Sequence, residues 1–379
     1  MISAHEKNTA SAEAPRCDWG LLGLALLLVA FGLIMVLSAS GVMAERFNAD
    51  KYFFLKKQLA FAVLGMVVMG VAAVLPRHFL DKLPYPLLLL TVVLLLLTLL
   101  IGPNINGARR WINLGIISLQ PMELAKLSLV LYLSYFMATK QAIIKTFDRG
   151  VIPPFAVTGA LVMLLLLQPD FGGAAVLCML LFFMCLVGGT RFLYLFFSAL
   201  IAGGAGYLLV VRSPYRFKRL TAFLDPFKDA QDTGYQLVQS LYAMGSGKIT
   251  GLGLGAGRQK LFYLPEAHND FIMAVVGEEL GFIGMSFFFL VMGLFFWRAF
   301  VIAFKQESLR DRLTVFGLTL VIGMGAVLNL AVVMGVAPPK GVAMPFMSYG
   351  GSSLLCTMVC VGLILNYSRS VVSGRRKNG

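Results

Sequence analysis

The sequence is poor in charge, in histidine and in any cysteine pattern that could staple a fold. Charged residues make up 13% of its 379 residues, whereas 59% are apolar and the mean hydropathy is +0.83. A soluble domain carries about 25% charged and about 45–50% apolar residues, so a cytosolic globule and a disordered chain are both excluded. The five cysteines are Cys17, Cys178, Cys185, Cys356 and Cys360. Four of them lie inside apolar runs, which excludes a disulfide-stapled secreted module. His5, His78 and His268 are scattered and suggest no zinc site. No internal repeat is visible, direct or inverted, which weakens a reading as a repeat-built transporter.

What is present instead is a series of apolar runs. They cover 19–40, 57–75, 84–101, 121–138, 152–168, 172–189, 191–211, 269–297, 313–336 and 351–367. Each is close to the roughly 20 residues needed to span a bilayer core. The first begins near Trp19 and is long enough to cross, so it reads as a membrane helix and not as a cleavable signal. Length alone would allow two or three domains, but a membrane bundle of this size is one unit. The expected fold class is therefore an all-α polytopic membrane protein of about ten transmembrane helices, with one domain over 19–367. A tail at 1–18, a basic tail at 368–379 and a long outer loop at 212–268 complete it. Two breaks between spans are very short, Gln168-Pro169-Asp170-Phe171-Gly172 and Gly188-Gly189-Thr190-Arg191, and their Pro and Gly favour real turns.

Basic residues number 32 against 18 acidic, a net charge of +14. On a soluble chain this would point to nucleic acid. In a membrane protein, Lys and Arg collect in cytoplasmic loops, and no nucleic-acid partner is expected. Ten spans put both termini on one side, which holds 16 basic residues, against 15 on the other, with Lys126 inside a helix. Eight of the 15 lie in the long loop, and long segments count less in the orientation rule, so both termini are expected in the cytoplasm. A strongly cationic outer face suggests an anionic, lipid-linked ligand.

Four places hold more polar chemistry than a bundle needs. Arg109 and Arg110 form a pair suited to bidentate phosphate binding. Close by, Glu123 and Lys126 share a helix face as an intrahelical ion pair. Asp170 at a membrane boundary is either a functional carboxylate or the N-cap of the next span. The long loop is basic and aromatic at Arg212-Ser213-Pro214-Tyr215-Arg216-Phe217-Lys218-Arg219. It closes on the glycine run 251–257, followed by Arg258, Gln259 and Lys260, where backbone N–H groups can cradle phosphate. The run lacks the flanking strand and acidic partner of a dinucleotide site. Asp270, where the apolar run resumes, is a candidate general base, with an N-cap role as the alternative. Glu278 and Glu279, about two turns on, need buried partners. Finally, Pro338 and Pro339 beside Lys340, and the run from Pro345 to Ser353, preclude a continuous helix. Irregular backbone at membrane depth is tolerated only against protein or a water-filled cavity, and Lys340 within it points at an anion.

These motifs resemble those of the SEDS family of bacterial membrane proteins (shape, elongation, division and sporulation), over about residues 17 to 370. The most specific matches are Pro345-Phe346-Met347-Ser348-Tyr349-Gly350-Gly351-Ser352-Ser353 and Leu264-Pro265-Glu266-Ala267-His268-Asn269-Asp270-Phe271. Gly277-Glu278-Glu279-Leu280-Gly281, Gln168-Pro169-Asp170 and Gly107-Ala108-Arg109-Arg110-Trp111-Ile112 add to them. Lys340, Ala267 and Gly234-Tyr235-Gln236-Leu237 with Gln239-Ser240 resemble the division branch, while the sporulation branch stays open. The resemblance implies a peptidoglycan glycosyltransferase of the bacterial cytoplasmic membrane, acting at the division septum. It would polymerise lipid II with inversion and release undecaprenyl diphosphate. Asp270 would be the catalytic base. Arg109, Arg110, Lys340, Asp170, Lys57, Glu123, Lys126, Arg216, Gln259, Lys260, His268, Ser348 and Ser352 would line the diphosphate cavity. Lys57 stands where the family usually has Arg, which keeps the charge and loses the bidentate fork. A divalent cation, Mg or Mn, would assist as with other diphosphate leaving groups, although no separate ligand motif is present. The implied partners are a class B penicillin-binding protein and other divisome proteins. The residues themselves leave two other readings open, a lipid II flippase and a non-catalytic divisome scaffold.

Overall fold

A computed structural model describes residues 17–374, apart from 106, 114, 116, 117, 233 and 261–262; the side chains of 215, 216 and 370–374 also lie outside the description. Most of the two expected tails, and the side chain of Arg216, therefore fall outside the described residues. The chain runs through α1 (Trp19–Asn48), α2 (Phe53–Val74), the short α3 (Arg77–Lys82), α4 (Pro84–Ile101) and a hairpin of β1 (Ile112–Asn113) and β2 (Ser118–Leu119). It continues with α5 (Pro121–Thr139), α6 (Ile152–Leu167), α7 (Phe171–Gly188) and α8 (Phe192–Val211). Two surface helices follow, α9 (Pro214–Leu224) and α10 (Tyr235–Ser246), then α11 (Ile272–Phe304), α12 (Leu309–Val333) and α13 (Gly351–Gly374).

Nine helices among the described residues are long and apolar enough to cross a membrane. The tenth expected span, α5, falls short because it carries Glu123, Lys126, Ser128 and Ser134. It is also well enclosed by the bundle, with 13 of its 19 residues buried against α4, α7 and α12. A helix surrounded by protein does not need a lipid-compatible surface, so the expected ten apolar spans become nine around a polar-flecked central one. Around it, α13 packs along α2 and α12, and α1 packs on α2 and α11. α8 stands at the periphery, with Leu195 its buried residue.

The long loop holds two helices of its own. Pro214 at the first position opens α9, and α10 buries Leu237, Val238, Ser240 and Ala243. The span expected at 269–297 starts at Ile272 and is broken at Gly281, whose φ of 62° and ψ of −160° suit only glycine. The break frees backbone groups that the loop then takes up. Leu252 N donates to Glu278 O (3.0 Å) and Gly253 N to Glu279 O (2.9 Å), while Phe282 N donates to Lys248 O (2.9 Å) and Ile283 N to Ile249 O (3.1 Å). Backbone passes so close here that a Cβ at Gly281 would lie 2.3 Å from Gly251 N.

Candidate functional site

Hydrogen bonds gather four inter-helix segments at one end of the bundle. The irregular segment 338–350 is the hub, with Met344, Phe346, Met347 and Ser348 buried as expected for non-helical backbone inside protein. Ser348 Oγ donates to Asn269 O (2.7 Å) and accepts from Met344 N (2.7 Å), and Tyr349 N donates to His268 O (2.9 Å). Gln58 of α2, buried and overlooked in the sequence reading beside two lysines, donates to Ser348 O (3.1 Å) and accepts from Gly350 N (3.3 Å). Asn329 of α12 completes the clasp, its Nδ2 donating to both Asp270 O and Val342 O at 2.7 Å. Phe346 passes directly over α1 at Gly32, where a Cβ would lie 2.3 Å from Phe346 O.

This clasp sets two carboxylates on either side of one dipeptide. A Cβ at Gly341 would lie 3.0 Å from Asp270 Oδ2, so glycine is what admits the carboxylate there. The preceding Lys340 lies by Gly172 and Asp170. A Cβ at Gly172 would lie 3.6 Å from Asp170 Oδ1 and 3.9 Å from Lys340 Cδ. Asp170 itself caps α7, accepting from Gly173 N (3.0 Å), the N-cap alternative foreseen for it, and is buried there. Arg110 donates to Pro169 O, and its guanidinium thus reaches the residue beside Asp170. Burial pushes the Asp270 carboxyl up to about 7, with the nearby Glu266 charge adding to it. Burial also draws the Lys340 ammonium below its ordinary value, and Asp170 opposes that. A carboxylate poised near neutrality is a group of the kind that general base chemistry uses.

The other expected residues divide between this centre and its supports. His268 is buried between Phe54 (4.8 Å between ring centroids) and Tyr349 (5.7 Å), a packing position beside Asp270. Ser352 Oγ donates to Ser118 O (2.7 Å) and accepts from Gln120 N (3.2 Å), tying the hairpin to α13. Glu123 and Lys126 pair at 2.8 Å, one residue beyond Met122, which touches Gly173 next to Asp170. Arg109 donates to Leu99 O (2.9 Å), so of the adjacent pair it is Arg110 that reaches the turn at Pro169. Lys57 is exposed, with its Nζ 4.3 Å from the centre of the Phe53 ring.

The glycine loop departs from expectation. Its N–H groups are spent on the protein's own carboxylates, Arg258 N on Glu278 Oε1 (2.7 Å) and Gly255 N on Glu279 Oε2 (3.1 Å). Gln259 N also donates to Glu278, at 3.3 Å. Lys260 is buried in a 2.6 Å ion pair with Glu279, which Ser38 Oγ supports at 2.5 Å. Lys260 and Gln259 therefore shape the loop, and the phosphate expected there is replaced by two glutamates that the sequence presented as lacking partners. For a divalent cation, the described residues offer no group of three or more His, Cys, Asp or Glu side chains.

The profile of the FtsW/RodA/SpoVE family, described as "Cell cycle protein", matches residues 18–372. A protein of Geobacter sp. (strain M18) named "Probable peptidoglycan glycosyltransferase FtsW" is 42% identical over 353 residues, covering 93% of this chain and 96% of its own. The "Stage V sporulation protein E" of Bacillus subtilis is 39% identical over 357 residues, covering 93% and 97%. Among solved structures, a chain described under "Structural coordination of polymerization and crosslinking by a peptidoglycan synthase complex" superposes with a TM-score of 0.76 at 32% identity, covering 94% of this chain and 98% of its own. The rod shape determining protein RodA of Thermus thermophilus does so with a TM-score of 0.71 at 32% identity, covering 93% and 97%. With the clasp of motifs assembled at one end of the bundle and the match running from the first span to the last, the chain belongs to the FtsW/RodA/SpoVE family of cell cycle proteins.

Proposed function

We propose that the chain is a peptidoglycan glycosyltransferase that polymerises lipid II into glycan strands for the division septum. The observation that carries this reading is that the Asp270 carboxylate abuts Gly341 while Lys340, the residue before it, lies by Asp170 and Gly172. Asp270 takes the proton from the acceptor's 4-hydroxyl as that oxygen attacks the anomeric carbon of the donor sugar. The new C–O bond forms on the face opposite the leaving group, which inverts the centre, and the bond from carbon to the diphosphate oxygen breaks. Lys340 and Arg110 stabilise the charge that collects on the departing undecaprenyl diphosphate. Asp170 holds Lys340 in place as a counter-charge.

The names of the relatives support the activity, and the neighbour from a peptidoglycan synthase complex supports a class B penicillin-binding protein as crosslinking partner. The membrane is the bacterial cytoplasmic membrane, with both termini inside and the Asp270 end outside, where the lipid-linked substrate and other divisome proteins meet it. The test uses the purified chain with lipid II and a cognate penicillin-binding protein whose crosslinking is blocked. Wild type forms polymer, and Asp270→Asn binds lipid II but forms none. Equal polymer from both removes Asp270 from the chemistry. Lipid II crossing a liposome bilayer without polymer identifies a flippase instead.

A further inference from the structure

At the end of the bundle opposite Asp270, the start of α1 meets the ends of α11 and α13, where Asp18 N donates to Ser368 Oγ (3.1 Å). Asp18 caps α1 by accepting from Leu21 N (2.8 Å), and its carboxylate also holds Arg298 at 2.9 Å. The guanidinium lies across Gly20, where a Cβ would come within 2.5 Å of it, so the cation is fixed at this point by both charge and shape. Beside it opens a cleft of about 590 Å³ between α1 and α11. Its wall is apolar, made of Leu24, Leu294 and Val301, and its rim carries Trp297, Arg298 and Lys305. Trp297, like Trp19 nearby, is 71% exposed. Aromatic side chains so placed mark the level of the membrane–water interface.

The charge in this cleft is unbalanced. Asp18 offsets Arg298, and Lys305 has no carboxylate partner among the described residues. A second cleft at the same end, about 430 Å³ between α3 and α12, makes the contrast. There Arg77 pairs with Asp311 at 3.2 Å and Arg310 with Asp81 at 2.6 Å, so every cation is matched. Of these two clefts, the one between α1 and α11 combines an apolar wall, an interfacial tryptophan and a surplus cation. This is the lining that an anionic amphiphile complements, with phosphate at the rim and a hydrocarbon tail along the wall.

We propose that the α1/α11 cleft is a binding site for an anionic phospholipid, its phosphate on Lys305 and Arg298 and one acyl chain along Leu24, Leu294 and Val301. The site is far from Asp270 and stands independently of the proposed chemistry. The test is native mass spectrometry of the full-length chain in mild detergent, titrated with phosphatidylglycerol or with phosphatidylcholine of matched chains. Wild type retains phosphatidylglycerol about fivefold more strongly, the effect expected of one interfacial cation. Lys305→Gln, which leaves the Asp18–Arg298 pair intact, loses that preference. Val301→Trp, which fills the groove, loses retention of both lipids. Equal retention of the two lipids by wild type, or an unchanged preference in Lys305→Gln, overturns the site. Glycerol phosphate that displaces the lipid at millimolar concentration shows that a soluble anion is bound and overturns the lipid assignment. A photo-crosslinker at Trp297 that captures the membrane helix of a partner protein, with no lipid adduct in its absence, overturns it in favour of a protein occupant.

Discussion

Asp270 carries opposite consequences for stability and for chemistry. Its carboxyl titrates near 7 in the folded chain, against 3.8 for an ordinary aspartate, so the folded form holds the proton more tightly. Between those values the folded state binds more protons than the unfolded one, and stability falls as pH rises through that window. Asp270→Asn removes the penalty. It therefore raises the melting temperature in detergent at pH 8, with the gain fading towards pH 4. The same mutant makes no polymer. For wild type, the rate of polymerisation rises with pH through about 7, as the base loses its proton. It declines on the alkaline side below the ordinary lysine value of 10.5, because burial lowers the Lys340 ammonium. Gly341→Ala tests the contact itself. A Cβ there intrudes to 3.0 Å from the carboxylate, and polymer formation drops about tenfold to a hundredfold while lipid II binding changes little.

At the scale of elements, the break in α11 is the feature on which the outer loop depends. Gly281→Ala places a Cβ against Gly251 N in a backbone conformation open only to glycine, and costs about 1–3 kcal/mol or more. The measurement is the thermal shift, with increased protease cleavage at 247–260 as its local signature. The Glu279–Lys260 pair allows a sharper test. Glu279→Gln leaves a buried, uncompensated ammonium and destabilises by about 3–5 kcal/mol. Lys260→Met in the same chain restores much of that loss. If the double mutant is no better than the single, Lys260 is held by something other than Glu279. The segment 338–350 and α5 follow the same rule as the broken helix, since polar or irregular structure survives where protein, and not lipid, surrounds it.

At the scale of the whole molecule, the hydrogen bond from Asp18 N to Ser368 Oγ places the start of the first span and the last turns of α13 together, at the end opposite the clasp of Asp270, Lys340 and Asp170. In intact cells, on a background without native cysteines, a cysteine at Asp225 reacts with an impermeant thiol reagent. One at Lys305 reacts only after the membrane is opened. The reverse pattern inverts the orientation and moves the clasp to the cytoplasmic side, away from an outer-leaflet substrate.

Hydropathy alone located the spans, because roughly 20 apolar residues have few uses other than crossing a bilayer, and the observed helices begin and end within a few residues of the runs except at the C-terminal ends of α1, α11 and α13, which run further. Prolines likewise announced that 338–350 could not be helical. Motif resemblance singled out Asp270, Asp170 and Lys340, but their proximity was invisible in one dimension, since 170, 270 and 340 meet only when α7, α11 and α12 pack side by side. Gln58 and Asn329 escaped notice for the same reason, as a buried amide is recognisable only by the carbonyls it finds. The glycine run was misread because its N–H groups are satisfied by Glu278 and Glu279, which no spacing rule connects to it. Sequence determined which residues enter the membrane and which chemistry is at hand; tertiary structure decided which charges neutralise one another and which are left to act, because that depends on distances only packing sets.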